Sequence, residues 1–98
     1  MTIKLVAITS VNANADSALE RYMSVVGPLM QSAGATVVCR YELSDSIVGG
    51  SDIQYVSVID YPDEAAIKMV FESEEYQSLD EVKTQAFFKY QVSIAVTL

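Results

Sequence analysis

The sequence predicts an α+β fold of order βαββαβ, a four-stranded antiparallel sheet with its helices on one face. Three observations predict it. The hydrophobic period switches between two and about 3.6 along the chain in that order, Gly, Pro or Asn punctuates the switches, and two of the strands are apolar on both faces while two are not. Joined by right-handed crossovers, this split βαβ pattern is the ferredoxin-like fold, with strand order 4-1-3-2. The 98 residues are expected to form one domain over 1–98, since chains below about 150 residues rarely divide. With 51% hydrophobic content the chain can support a core, which excludes disorder.

Ile3 to Val11 reads as the first strand, rich in β-branched residues and closed by the polar Asn12-Ala13-Asn14 turn. Over residues 15–33 the period changes, with Ala15, Ala18, Leu19, Tyr22, Val26, Leu29, Met30 and Ala33 on one helical face. Ser17 and Glu20 have the spacing of a capping box, with Asn14 and Asp16 as competing caps. Gly27-Pro28 predicts a kink or two short segments, because Pro removes an i→i−4 bond. Gly34 ends the helix. Ala35 to Leu43 is the second strand, Ser44 to Ser51 a loop with Gly49-Gly50, and Ile53 to Tyr61 the third strand. Pro62-Asp63 opens a helix whose inward positions are Ala66, Ile67, Val70 and Phe71. After a break near Ser73, Tyr76, Leu79, Val82 and Ala86 share the face of a further helical segment. Lys89 to Leu98 closes the chain as the fourth strand.

Strand order 4-1-3-2 makes strands one and three central. Strand one sets Ile3, Leu5, Ala7 and Val11 on one face and Val6 and Ile8 on the other; strand three sets Ile53, Tyr55 and Ile59 against Val56 and Val58. The edge strands read as one-sided. Strand four sets Tyr90, Val92, Ile94 and Val96 against Gln91, Ser93, Ala95 and Thr97, and strand two sets Val37, Cys39, Tyr41 and Leu43 against Thr36, Val38, Arg40 and Glu42. A lone βαββαβ unit leaves one sheet face wet, and an apolar patch there exceeds what soluble monomers usually tolerate. The expected partner is therefore a second copy, in a two-fold homodimer through the sheet face.

Composition removes most chemistry. Thirteen Asp and Glu against six Lys and Arg leave a net charge of −7, which argues against nucleic-acid binding. The acidic stretch Glu72, Glu74, Glu75, Asp80, Glu81 reads as a solvated helix face rather than a cation site. The chain has no His, so Ser-His-Asp and Cys-His arrangements are impossible within it, and neither a metal nor a cofactor is expected. The sole Cys39 reads as a small core hydrophobe, and the lack of an internal disulfide fits a cytoplasmic location. Lys4 followed by Leu5-Val6-Ala7-Ile8 and Ala13-Asn14-Ala15 imitates a signal peptide, but its four-residue apolar core is short of the roughly seven to fifteen required. No apolar run is long enough to span a membrane. Gly49-Gly50-Ser51 lacks the spacing of a phosphate loop and reads as a flexible connection.

The stretch Ile59-Asp60-Tyr61-Pro62-Asp63-Glu64-Ala65-Ala66, followed by Phe71-Glu72-Ser73-Glu74-Glu75-Tyr76-Gln77-Ser78-Leu79, resembles the family catalogued as domain of unknown function 1330. Its marks are an aromatic-Pro-x-x-x-Ala element and a Ser-x-Glu-Tyr-Gln motif. The resemblance covers nearly the whole chain, with Tyr22, Pro28 and Arg40 at corresponding positions. It implies a dimeric α/β barrel in which two ferredoxin-like sheets pack face to face. Two departures stand out: Lys83 where the family commonly has Arg, and Tyr41 where it has Gly. An anion site that needs a planar guanidinium is not expected at position 83.

In that superfamily the usual cavity lies between sheet and helices, so the polar residues expected there are the candidates: Tyr22, Arg40, Asp60, Tyr76 and Lys83 for a ligand cleft. Tyr22 and Tyr76 read first as core aromatics with hydroxyls at the edge. Arg40 and Asp60 interrupt apolar sequence, and a charge there needs a partner or water; they read as a structural pair or edge charges, or as a cleft in which Arg40 binds a carboxylate or enolate and Asp60 or a Tyr handles a proton. Lys83 reads as helix surface or as a second cationic contact. Three functions remain: a cofactor-independent monooxygenase or isomerase, a module that binds a small organic acid or aromatic molecule, and an assembly domain without a pocket. A cavity of roughly 300 Å³ or more with convergent polar groups favours the first two.

Overall fold

The computed structural model describes residues 2–50 and 52–98. Its elements are β1 (Ile3–Val11), α1 (Asp16–Ser32), β2 (Thr36–Glu42), β3 (Tyr55–Tyr61), α2 (Glu64–Phe71), α3 (Glu74–Gln77), α4 (Asp80–Ala86) and β4 (Phe87–Ala95). All strand pairs are antiparallel, in the order β2-β3-β1-β4. This is the expected βαββαβ topology of a ferredoxin-like fold, with the last helical stretch divided in two.

Several elements differ from their sequence expectation for local reasons. The N-terminus of α1 carries no side-chain cap; Ala15 stands at that position and Ser17 already lies inside the first turn, so the capping box does not form. The helix runs through Gly27-Pro28 without a break. Its C-terminus closes with Gly34 at φ +78°, where the Gly34 and Ala35 amides donate to the Gln31 and Met30 carbonyls. A Cβ at Gly34 would also stand 3.1 Å from Pro62 Cγ, so a side chain there would meet a tight contact as well as a strained backbone. Side chains cap the next two helices: Asp63 accepts from the Ala66 amide and Ser73 from the Tyr76 amide. A turn at Ser78-Leu79 separates α3 from α4 yet keeps Tyr76, Leu79 and Ala86 buried on the same side. Residues 43–54 form the β2–β3 connection, longer than the expected 44–51, of which Ser51 lies outside the described residues. β4 starts two residues earlier than expected and ends at Ala95.

The register explains which side chains face the helices. Across β2, β3, β1 and β4 the helix side carries the rows Val37–Ile59–Leu5–Ile94, Arg40–Ser57–Ala7–Val92 and Glu42–Tyr55–Thr9–Tyr90. The opposite side carries Thr36–Asp60–Lys4–Ala95, Cys39–Val58–Val6–Ser93 and Tyr41–Val56–Ile8–Gln91. An irregularity between Val37 and Cys39 makes Val38 an extra residue. The even alternation read for the second strand is thereby corrected: Val37 shares the helix side with Arg40, whereas Cys39 and Tyr41 point to the other. A second irregularity opposite Ser10-Val11 makes Phe88 the extra residue of β4.

Two buried clusters lie between sheet and helices. One is mainly aliphatic: Leu5, Ala33, Ile59, Tyr61, Ala66 and Val70. The other, around Tyr22, Val26, Tyr76, Leu79, Ala86 and Phe87, is half aromatic. The opposite face has no such cover, and Val6, Ile8, Val56, Val58 and Cys39 stay half-buried there while Tyr41 is exposed.

Candidate functional site

Hydrogen bonds converge in the aromatic cluster. Tyr22 on α1 and Tyr76 on α3 each lie 2.7 Å, hydroxyl to hydroxyl, from Tyr90 on β4. Tyr90 points inward because it shares strand parity with Val92 and Ile94. Lys83 on α4 donates from Nζ to the Tyr76 hydroxyl at 3.2 Å and lies 4.4 Å above the Tyr76 ring centre and 5.1 Å above that of Tyr90. Asp80, 3.8 Å away, is largely exposed, while the Lys83 side chain keeps only 21% of its surface. The hydrogen-bonded rings are held edge to face against Phe71 and Phe87, at centroid distances of 5.0 Å for Phe71–Tyr76 and 5.1 Å for Tyr22–Phe87.

Burial sets the acidity of these phenols. It pushes Tyr22 up to about 12, with the Tyr90 hydrogen bond acting the other way, and Tyr61 to about 12 with Tyr76 adding to the effect. Tyr90 is raised well beyond the usual tyrosine range, by burial first and by Tyr22 next. At neutral pH these groups are proton donors and poor bases.

Beside the cluster, between the sheet and α2, opens a cleft of about 340 Å³. Leu5, Ile67, Phe71 and Val92 give it apolar walls, and Tyr76 and Tyr90 bring it the only hydroxyl groups among its lining residues. A second, shallower hollow of about 360 Å³ lies on the far side of Tyr90, bordered by Asp80, Lys83 and Thr84.

Of the five candidates, the structure brings Tyr22, Tyr76 and Lys83 into one network. Arg40 lies on the same side of the sheet, in the exposed edge strand, where its Nε donates to Ser57 Oγ at 3.1 Å. Asp60 does not join them. It projects from the opposite side and pairs with Lys4 at 2.6 Å, because register sets it beside Lys4 and away from Ser57 and Ile59. Tyr90, the hub, was not singled out by sequence reasoning. Its signal was a polar-tipped aromatic at an inward position of an otherwise aliphatic strand face. Among the described residues no group of His, Cys, Asp and Glu could hold a metal ion, and no helix is long and apolar enough to cross a membrane.

Similar folds occur among solved structures. A protein of unknown function from Rhodopseudomonas palustris superposes with a TM-score of 0.82 at 17% identity, over 99% of this chain and 82% of that one. A dabb family protein with a ferredoxin-like fold from Mesorhizobium loti gives 0.64 at 13% identity, over 99% and 97%. A dimeric protein of unknown function with a ferredoxin-like fold from Bacteroides fragilis gives 0.58 at 5% identity, over 96% and 94%. Identities this low establish the shared fold alone. No curated protein matches the sequence significantly. The family model described as domain of unknown function (DUF1330) matches residues 4–95, and the chain belongs to that family.

Proposed function

We propose that this protein binds a small organic acid or aromatic molecule in the cleft between sheet and α2, as a homodimer paired through its uncovered sheet face. The cleft carries the first part of the reading: about 340 Å³ of mostly apolar wall meeting two phenols at one end. Such a mixture, largely apolar with a few directed polar groups, is what small-molecule sites present. Because burial keeps Tyr22 and Tyr90 protonated, the cluster is better suited to holding an oxygen than to abstracting a proton, which favours binding over base catalysis. Native mass spectrometry of the purified protein should detect a bound small molecule, and Val92→Trp, which fills the cleft, should abolish its retention. A ligand retained unchanged by Val92→Trp would refute the cleft as its site.

Support for the homodimer comes from the paired rows Cys39–Val58–Val6 and Tyr41–Val56–Ile8, an apolar stripe facing away from the helices. A second copy would cover this stripe and close two sheets into a barrel. Light scattering at micromolar concentration should give twice the 10.7 kDa chain mass; a monodisperse monomer would contradict it. A lone, half-buried thiol with no partner for an internal disulfide fits a reducing cytoplasm.

A further inference from the structure

We propose that the cleft selects ligands bringing an oxygen acceptor, a carbonyl, enolate or carboxylate, and meets that oxygen with the one hydroxyl proton that Tyr22, Tyr76 and Tyr90 cannot use among themselves. The proposal deepens the cleft reading above and rests on it. Its basis is a count. Three phenols carry three protons, and their two mutual hydrogen bonds consume two, whichever oxygen donates in each. Lys83 is a donor only, so its bond to Tyr76 fills an oxygen lone pair and takes up no phenol proton. Among the described residues none of the three hydroxyls has another acceptor. One proton is therefore left over.

Geometry decides where this proton can be offered. Tyr22 and Tyr76 are both buried, but of the three phenols only Tyr76 and Tyr90 line the cleft. If Tyr22 and Tyr76 both donate to Tyr90, the free proton is on Tyr90; if Tyr22 donates to Tyr90 and Tyr90 to Tyr76, it is on Tyr76. The two patterns interchange by hydroxyl rotation alone, so the free donor can follow the ligand oxygen. Neither cation of this side lines the cleft or supplies an acceptor. Only Nε of Arg40 is engaged, by Ser57, and Lys83 makes one hydrogen bond. A ligand donor, by contrast, finds in either pattern one lone pair left on the two cleft-lining oxygens, and Lys83 beside Tyr76 competes for it. Burial holds the Tyr22 and Tyr90 protons in place at neutral pH, which keeps the count valid there.

The test uses two probes of the same shape, acetophenone and α-methylstyrene, which differ in a carbonyl oxygen against a methylene group. Saturation-transfer NMR titrations should show acetophenone binding roughly fivefold to tenfold more tightly, the scale of one hydrogen bond to a buried donor. Tyr22→Phe removes one proton and one internal bond, so the preference should persist. The double variant Tyr76→Phe/Tyr90→Phe removes both hydroxyls that reach the cleft and should bring the ratio to about one, with α-methylstyrene still bound as evidence of an intact cleft. Equal affinities in the unaltered protein, or a preference that survives the double variant, would overturn the proposal while leaving the cleft reading in place. If neither probe binds, or Val92→Trp does not displace them, the cleft reading falls and this proposal with it.

Discussion

On the helix-covered side of the sheet, three phenols and an ammonium are packed into one hydrogen-bonded network. On the other side, Lys4 and Asp60 pair at the rim of a stripe of Val6, Ile8, Val56 and Val58. The same four strands supply both. The difference lies in what covers them. Under the helices water reaches little beyond the cleft, so the phenols meet most of their hydrogen-bonding capacity by bonding one another. On the uncovered face the charged pair stays solvated and the apolar residues are the ones left unsatisfied. Polar order on one side and apolar exposure on the other are what the proposed ligand cleft and the proposed homodimer respectively rest on.

The largest expected effect tests the covered side. Leu79 is 1% exposed beneath the aromatic cluster, and Leu79→Ala should cost about 2 to 5 kcal/mol in urea denaturation, through the lost contacts and the cavity left behind. On the uncovered side, Val58→Asp should leave the fold intact but weaken the proposed dimer by about 3 kcal/mol or more, since a second copy would bury an unpaired carboxylate. Sedimentation should then show a monomer; an unchanged dimer would move the interface elsewhere.

Alkaline pH should also separate the two sides. Tyr22 is held up to about 12 in the folded chain, against about 10 when unfolded. Between those values the unfolded state has released a proton that the folded state keeps, so stability is full below pH 10 and falls as pH rises toward 12. The slope should be at most about 1.4 kcal/mol per pH unit for each such tyrosine. Replacing Tyr22 by Phe should flatten the curve, followed by denaturation midpoints and phenolate absorbance. Ser73→Ala, which removes the cap of the helix carrying Tyr76, should cost about 1 kcal/mol. Smallest of all, Asp60→Asn should change stability by no more than about 1 kcal/mol and leave probe binding in the cleft unaltered, because its ion pair is partly solvated and on the far side. A marked loss of binding in that variant would break the division between the two faces.

How much of this was legible in the sequence depended on the kind of signal. Strand one could be bounded from Ile3 to Val11 because β-branched residues and the Asn12 to Asn14 turn mark both ends, and the central position of strands one and three followed from apolar residues at both parities. Tyr22 and Tyr76 were found by helical period. Arg40 and Asp60 looked alike as charges within apolar strands, yet register places them on opposite sides, and alternation within one strand carries no information about its alignment with the next. The inserted residue at Val38 shifts parity in a way a period of two cannot register. Tyr90 was missed as a site residue because its meaning depends on two hydroxyls more than ten residues away in the chain, a long-range coincidence that local pattern does not encode.

The two extra residues, Val38 and Phe88, lie on the two edge strands, while the paired register of the central strands β1 and β3 is unbroken. Each is an added residue that the sheet absorbs without turning the neighbouring side chains over. Deleting either should therefore keep Arg40 opposite Ser57 and Tyr90 opposite Thr9, whereas losing a residue from the middle of β1 or β3 would invert half a strand. The edges are where this chain should tolerate the loss of a single residue and leave the tyrosine hydroxyls where they are.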